Sequence, residues 1–231
     1  MREIFLGKSM VWVAVFLSAL GLTPTYLLSS SDLSATKETL TIPLVTRAPA
    51  IEDFLEMKPN EEMEGQLVKV DGFLQRQPVD GQPVSQRTEA YLGYDEKNVY
   101  AIFICFDSEP QRIRARMSQR DKFFTSGDDG VMVSFDTFND QRRAYEFWVN
   151  PLGVQMDDQW VEGQPFDTAF DLLWYSRGQL TDQGYVVWMA IPFESMRFPP
   201  TPEQTWGIIC WRIIPRNNEF SSWPHVTDRI A

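Results

Sequence analysis

Histidine is almost missing from this chain: 231 residues contain one, His225. A Ser-His-Asp triad or a histidine-built zinc site would have to form around it, and no motif surrounds it. Cysteine is scarce too. Cys105 in YAIFICFD and Cys210 in WGIICWRI both sit in apolar runs, where a free thiol acts as a small hydrophobe. There is no Cys-x-x-Cys and no lipobox cysteine; a disulfide between the two fits an oxidising compartment, and the sequence leaves it open. Basic charge is short as well, with 21 Lys and Arg against 32 Asp and Glu, a net of −11 and a pI near 4.6. Such a chain repels a phosphate backbone, which excludes nucleic acid as a partner and disfavours anionic headgroups.

Aromatic and apolar residues are plentiful. Hydrophobic residues make up 43% and aromatics 13%, with eight Trp. That is ample for the core of one domain, or of two very small ones, and leaves aromatics over for a surface. The apolar run Met10–Leu22 follows Arg2 and Lys8. It suits a secretory signal and falls short of the ~20 residues that span a bilayer. Residues 1–35 are therefore expected to be a signal peptide, or an anchor running on through Leu28. Either makes the domain exported: periplasmic, cell-surface or secreted. No integral membrane domain is expected beyond that segment. Residues 36–46 read as a linker and 47–231 as the module.

From residue 66 onward short apolar runs alternate with turn residues. TEAYLGYD and VYAIFICFD flank EKN; VMVSFDT and RAYEFWVN flank FNDQR; VQMDDQW, YVVWMAIPF and WGIICWRIIPR follow. This pattern predicts an all-β, antiparallel β-sandwich, jelly-roll-like, with one or two short helical segments. EPQRIRARMSQRD is the best helix candidate, with Pro110 at its start and its charges outward. PFESMRF reads as a single turn.

Alternation puts Val131, Val133, Phe135, Tyr145, Phe147 and Val149 on one apolar face. The other face receives Met132, Ser134 and Asp136 beside Ala144, Glu146, Trp148 and Asn150. A hairpin centred on Asp140 sets Met132 across from Trp148 and Ser134 across from Glu146. A Trp beside Glu and Asn can stack on a sugar ring and bond its hydroxyls. Trp160 and Trp174, further along, are either core or additional site aromatics. Asp136, Asn139 and Asp140 read as turn chemistry. Asp157, Asp158, Asp167 and Asp171 could hold calcium, although no Asp-x-Asp-x-Asp-Gly loop occurs. Asp136 with Glu146 is the pair a glycosidase would use, but adjacent strands of a flat sheet seldom form its cleft.

DGFLQRQPVDGQPVSQRTEAYLGYDEKNVYAIFICFD, DDGVMVSFDTFNDQRRAYEFWVNPLGVQMD, IPFESMRF and TWGIICWRIIPRNNEFSSW together resemble the family 9 carbohydrate-binding module-like domain. The likeness is to the branch at the front of large exported bacterial proteins with a β-rich C-terminal region, and it covers about residues 47–231. It implies a β-sandwich that binds an oligo- or polysaccharide without cleaving it. It also implies a ligand contact at Asn150, a stacking ring near Trp223, an acidic strand opening at Asp129 and, in some members, structural calcium; no other cofactor is expected. The chain departs from the family at Ser126, Met132, Trp148 and Trp188, and APAIEDFLEM replaces an Ile-Asp-Gly turn.

The expectation is thus a non-catalytic carbohydrate-binding module serving carbohydrate catabolism, with Glu146, Trp148, Asn150, Trp160 and Trp223 at its site. By resemblance, any catalytic or membrane-embedded part would lie in a C-terminal region outside this chain. Two alternatives stand beside it: an interaction module docking on a β-rich partner domain, and a glycoside hydrolase using paired carboxylates.

Overall fold

The apolar runs become strands, eleven among the described residues. The computed structural model describes residues 39–122, 127–165, 167 and 170–227. The expected signal segment lies outside them. The strands are β1 (Val68–Val70), β2 (Leu74–Gln77), β3 (Thr88–Tyr94), β4 (Asn98–Phe106), β5 (Gly130–Asp136), β6 (Arg143–Val149), β7 (Gln155–Val161), β8 (Tyr175–Thr181), β9 (Gly184–Pro192), β10 (Gly207–Ile214) and β11 (Glu219–Trp223). They form a five-stranded sheet, β1-β3-β4-β9-β8, and a six-stranded sheet, β2-β11-β10-β5-β6-β7. Every pairing is antiparallel, as expected of the sandwich.

The expected hairpin register is present: Met132 pairs with Trp148 and Ser134 with Glu146. Turn chemistry fixes it. Asp136 accepts the Phe138 and Gln141 amides at 3.2 and 2.7 Å, and Asp140 accepts that of Arg142 at 2.9 Å. The strands that sequence reading missed are β1, β2, β8 and β11. All but β11 lie at sheet edges, where short runs with mixed exposure lack clean alternation.

The helix expected in EPQRIRARMSQRD does not form. Only Pro110–Arg112 makes a 3-10 turn; Ile113 is then extended, burial alternates through Arg116, and residues 113–119 form no helix. The reason lies in two buried carboxylates. Asp129 accepts the Arg114 amide at 2.9 Å and Asp128 that of Arg116 at 3.0 Å, which removes donors a helix would use. The Arg114 and Arg116 carbonyls accept the Asp129 amide and the Asn150 side chain, at 2.8 and 2.9 Å. The single turn expected in PFESMRF does form, at Phe193–Ser195.

The stretch read as a linker is partly structure. Leu44 bridges Tyr94 in parallel, and the Val45 amide donates to the Tyr94 carbonyl at 2.8 Å. From there Ile51, Phe54, Met57, Met63 and Leu67 cover the outer face of the five-stranded sheet, against Tyr91, Tyr100, Ile102 and Ile104. Trp188 donates to the Pro49 carbonyl at 2.8 Å and holds this layer down.

Between the sheets the core is apolar except at one end. There Arg212 of β10, 0% exposed, crosses to the other sheet. It donates to the Arg87 carbonyl at 2.9 Å, the Thr88 hydroxyl at 3.0 Å and the Phe106 carbonyl at 2.9 Å. Asp107 lies 3.9 Å from it, and both of its oxygens accept from one nitrogen of Arg216, Nη2, at 2.7 Å each. Cys105 and Cys210 are both buried and free. At another place the Asn150–Gly153 turn stands backbone to backbone on β8. A Cβ at Gly178 would fall 2.4 Å from the Gly153 nitrogen.

Replacing Arg212 by Met keeps the volume but leaves buried carbonyls unpaired. We expect a loss of about 3–5 kcal/mol and a melting temperature lower by roughly 10 °C. A thermal melt of Arg212→Met equal to that of the parent would remove the role assigned to this side chain.

Candidate functional site

The outer face of the six-stranded sheet is built in rows across paired strands. One row reads Trp211, Met132, Trp148, Met156; the next reads Ile209, Ser134, Glu146, Asp158; the third reads Gly207, Asp136, Ala144, Trp160. Met132, Trp148, Met156 and Trp211 form one apolar cluster, with Ile209, Ile213, Phe220 and Val226 packed on it. Phe220 lies between two indoles, its ring 4.5 Å from Trp211 and 6.3 Å from Trp148, near-parallel to both. The Arg76 guanidinium sits 5.9 Å from the Trp211 ring. The four central side chains of this face are 2–6% exposed, and Val226 near the C-terminus packs on them.

Three of the five expected site residues meet on this face: Glu146, Trp148 and Trp160. Trp148 itself is 4% exposed and Trp160 half-buried, so the more accessible rings are Trp160 and Phe220. Asn150 is placed differently. Its amide donates to the Arg116 carbonyl and to Asp128, and its oxygen accepts the Leu152 and Val154 amides, all within 2.9–3.0 Å. An amide has two donor and two acceptor positions, and all four are used inside the protein. Trp223 pairs with Cys210, so it has the parity of the core face and does not join Trp148.

Trp211 and Phe220 were missed. Each alternates with core residues in its own strand, so the period was legible. What the sequence does not carry is that β10 lies beside β5, because the two are far apart in the chain.

The carboxyls on this face are Glu146 and its cross-strand partner Asp158. Glu146 is half-buried as a residue, with its carboxyl group enclosed and accepting the Trp148 indole N–H at 3.3 Å. Burial, followed by the Asp158 charge, pushes Glu146 up to about 7 against a smaller pull from that hydrogen bond. Burial raises Asp158 as well. Like charges across adjacent strands give a pair that titrates jointly. In the other acidic pair, Asp136 with Glu146, both Asp136 oxygens accept amides of the hairpin turn.

The acidic residues named for calcium are spread over separate partners. Asp157 and Asp171 share the guanidinium of Arg120, and Asp157 also accepts the Leu172 amide and the Trp174 indole. Asp158 lies on the opposite face of β7 from Asp157. Among the described residues no group of three or more His, Cys, Asp or Glu could hold a metal ion. His225 accepts from or donates to Asp80 at 2.9 Å, near the end of the described chain.

No family profile and no curated protein matches the chain. Among solved structures it is similar to a "putative carbohydrate-binding protein" of Bacteroides uniformis, with a TM-score of 0.58 and 15% identity over 83% of this chain and 92% of that one. The two share a fold. Two structures of a family 9 carbohydrate-binding module from Caldicellulosiruptor kristjanssonii match 78% of this chain at 12% identity. One is in complex with cellotriose (TM-score 0.47, 81% of that chain) and one with glucose (0.48, 84%). These two are looser and carry no argument.

The raised Glu146 value sets a pH dependence. Its folded value lies above the ordinary 4.5, so the associated stability is complete below about pH 4.5. It is lost as pH rises through about 7. Glu146→Gln should match the parent at pH 4.5 and exceed it at pH 8 by about 1–3 kcal/mol, after allowance for solvent access. Melts at both pH values measure this. An equal difference at the two would refute it.

Proposed function

We propose that this chain is an exported module that binds carbohydrate without cleaving it, through the outer face of the six-stranded sheet. The observation that carries the reading is that face itself. It is built of Trp, Phe and Met, with the half-buried rings of Trp160 and Phe220 at its surface and carboxyls beside them. A face of rings flanked by acceptors is what sugar C–H patches and hydroxyls require. The sequence resemblance and the shared fold with the Bacteroides uniformis protein support the same reading. Phe220 and Trp160 are the rings placed to stack. Trp148 and Trp211 pack on Phe220, and the enclosed Glu146 carboxyl holds the Trp148 indole in place. The expected context is the front module of a longer exported protein in carbohydrate breakdown, where a β-rich domain would be its neighbour. The same face would serve that neighbour if it bound no sugar.

The test is a glycan array probed with the chain, followed by calorimetry on whichever neutral or charged glycan binds. Phe220→Ala or Trp160→Ala should weaken binding about tenfold or more. Incubation with the bound glycan should release no new reducing ends, and Glu146→Gln should leave that unchanged. A blank array from a folded monomer would turn the face over to protein docking. Turnover abolished in Glu146→Gln would make the protein a hydrolase.

A further inference from the structure

The chain is acidic, yet one stretch of twelve residues is strongly basic. QRIRARMSQRDK, 111–122, holds five of the 21 basic side chains and one acid, a net of +4 within a total of −11. Sequence alone makes this the charged face of a helix, and the structure makes it an extended rail. Ile113 and Ala115 are half-buried while Arg114 and Arg116 are exposed, so the two arginines leave the same side. At strand-like rise they stand about 7 Å apart. Their backbone is fixed at 2.8–3.0 Å: the Asp129 and Asp128 carboxylates accept the Arg114 and Arg116 amides, and the Asp129 amide and Asn150 side chain donate to their carbonyls. The rail is therefore preorganised and its arginine heads remain available. Nine other described arginines lie within ion-pair reach of a carboxylate. Among the described residues, Arg114 and Arg116 bond to nothing through their guanidinium groups.

The rail also has a place. It crosses the end of the six-stranded sheet, from Asp129 beside β5, past Asn150 after β6, to Asp121, whose amide donates to the Gln155 carbonyl of β7 at 3.0 Å. Met132, Trp148 and Met156 belong to those same three strands, in the outer-face row that follows Gly130 and Ile213 at this end.

We propose that Arg114 and Arg116 form a carboxylate-binding rail, and that the glycan this protein takes is a polyuronate. This rests on the carbohydrate-binding reading above and narrows it. A guanidinium offers a planar fork matched to a carboxylate, and two forks on a rigid strand match repeated carboxylates along a chain. The rest of the protein, strongly negative, repels a broad polyanionic surface such as a membrane or a duplex. A single polysaccharide chain with one carboxylate per sugar meets the rail alone.

The test is affinity electrophoresis of the full chain through gels holding polygalacturonate, the same polymer with its carboxyls reduced to alcohols, a neutral β-glucan, or dextran sulfate. We expect retardation by polygalacturonate, less by its reduced form, and weakening of about tenfold in R114Q/R116Q. R114K/R116K should recover only part, because lysine has charge without the fork. Added salt should weaken the parent more than the glutamine variant. Binding of polygalacturonate by R114Q/R116Q at the parent's strength overturns the inference. So does preference for the reduced polymer or the neutral glucan, which leaves the carbohydrate reading standing. Equal retardation by dextran sulfate and polygalacturonate reduces the rail to an indiscriminate anion site and overturns the choice of uronate. Retardation by none of the four removes both readings.

Discussion

Arg212 ties the two sheets together at one end, and much of the molecule is arranged around its burial. A guanidinium taken fully out of water must have its donors met and its charge answered. The Nη donors go to carbonyls and a hydroxyl of β3, β4 and the loop before them, and Nε is left without a hydrogen-bond partner among the described residues. The charge is answered by Asp107 and Asp129, with Arg216 as the second cation. That fixes where β10 stands against β3 and β4. It also places Asp129, whose other oxygen captures the Arg114 amide and keeps the 113–119 stretch from forming a helix. One buried charge network thus reaches from the sandwich interior to the surface.

The two outer faces have different fates. The five-stranded sheet is closed by the segment that begins near residue 43, with Phe54 and Ile51 fully buried beneath it. The six-stranded sheet has an aromatic and methionine face whose central side chains are buried and whose half-buried rings are Phe220 and Trp160. An amphipathic sheet buries one face and must do something with the other. Here the apolar side chains of that second face pack on one another, rings against rings, and enclose the Glu146 carboxyl. The same packing accounts for the raised Glu146 value, since desolvation is its largest cause.

Local chemistry wrote much of the fold into the chain. Seven of the strands, the 131–149 hairpin with its register, and the turn at Asn150–Gly153 follow from alternation and from Asx turns, which act over a few residues. The face that holds Glu146, Trp148 and Trp160 was legible for the same reason, since period 2 assigns a side to every strand residue. Edge strands such as β8 escaped because neither face of an edge demands strict alternation.

What only the tertiary structure decided depends on strand order and on side chains arriving from afar. It brought Trp211 and Phe220 to the Trp148 face, gave Trp223 to the other face, and used every hydrogen-bonding position of Asn150 inside the protein. It also turned an amphipathic helical pattern at 109–121 into an extended rail. The sequence by itself determined what each short stretch could be, because propensity and alternation are local. Which stretch met which was settled by burial, and a buried carboxylate that takes a backbone amide outweighs the weak helical preference of the residues carrying it.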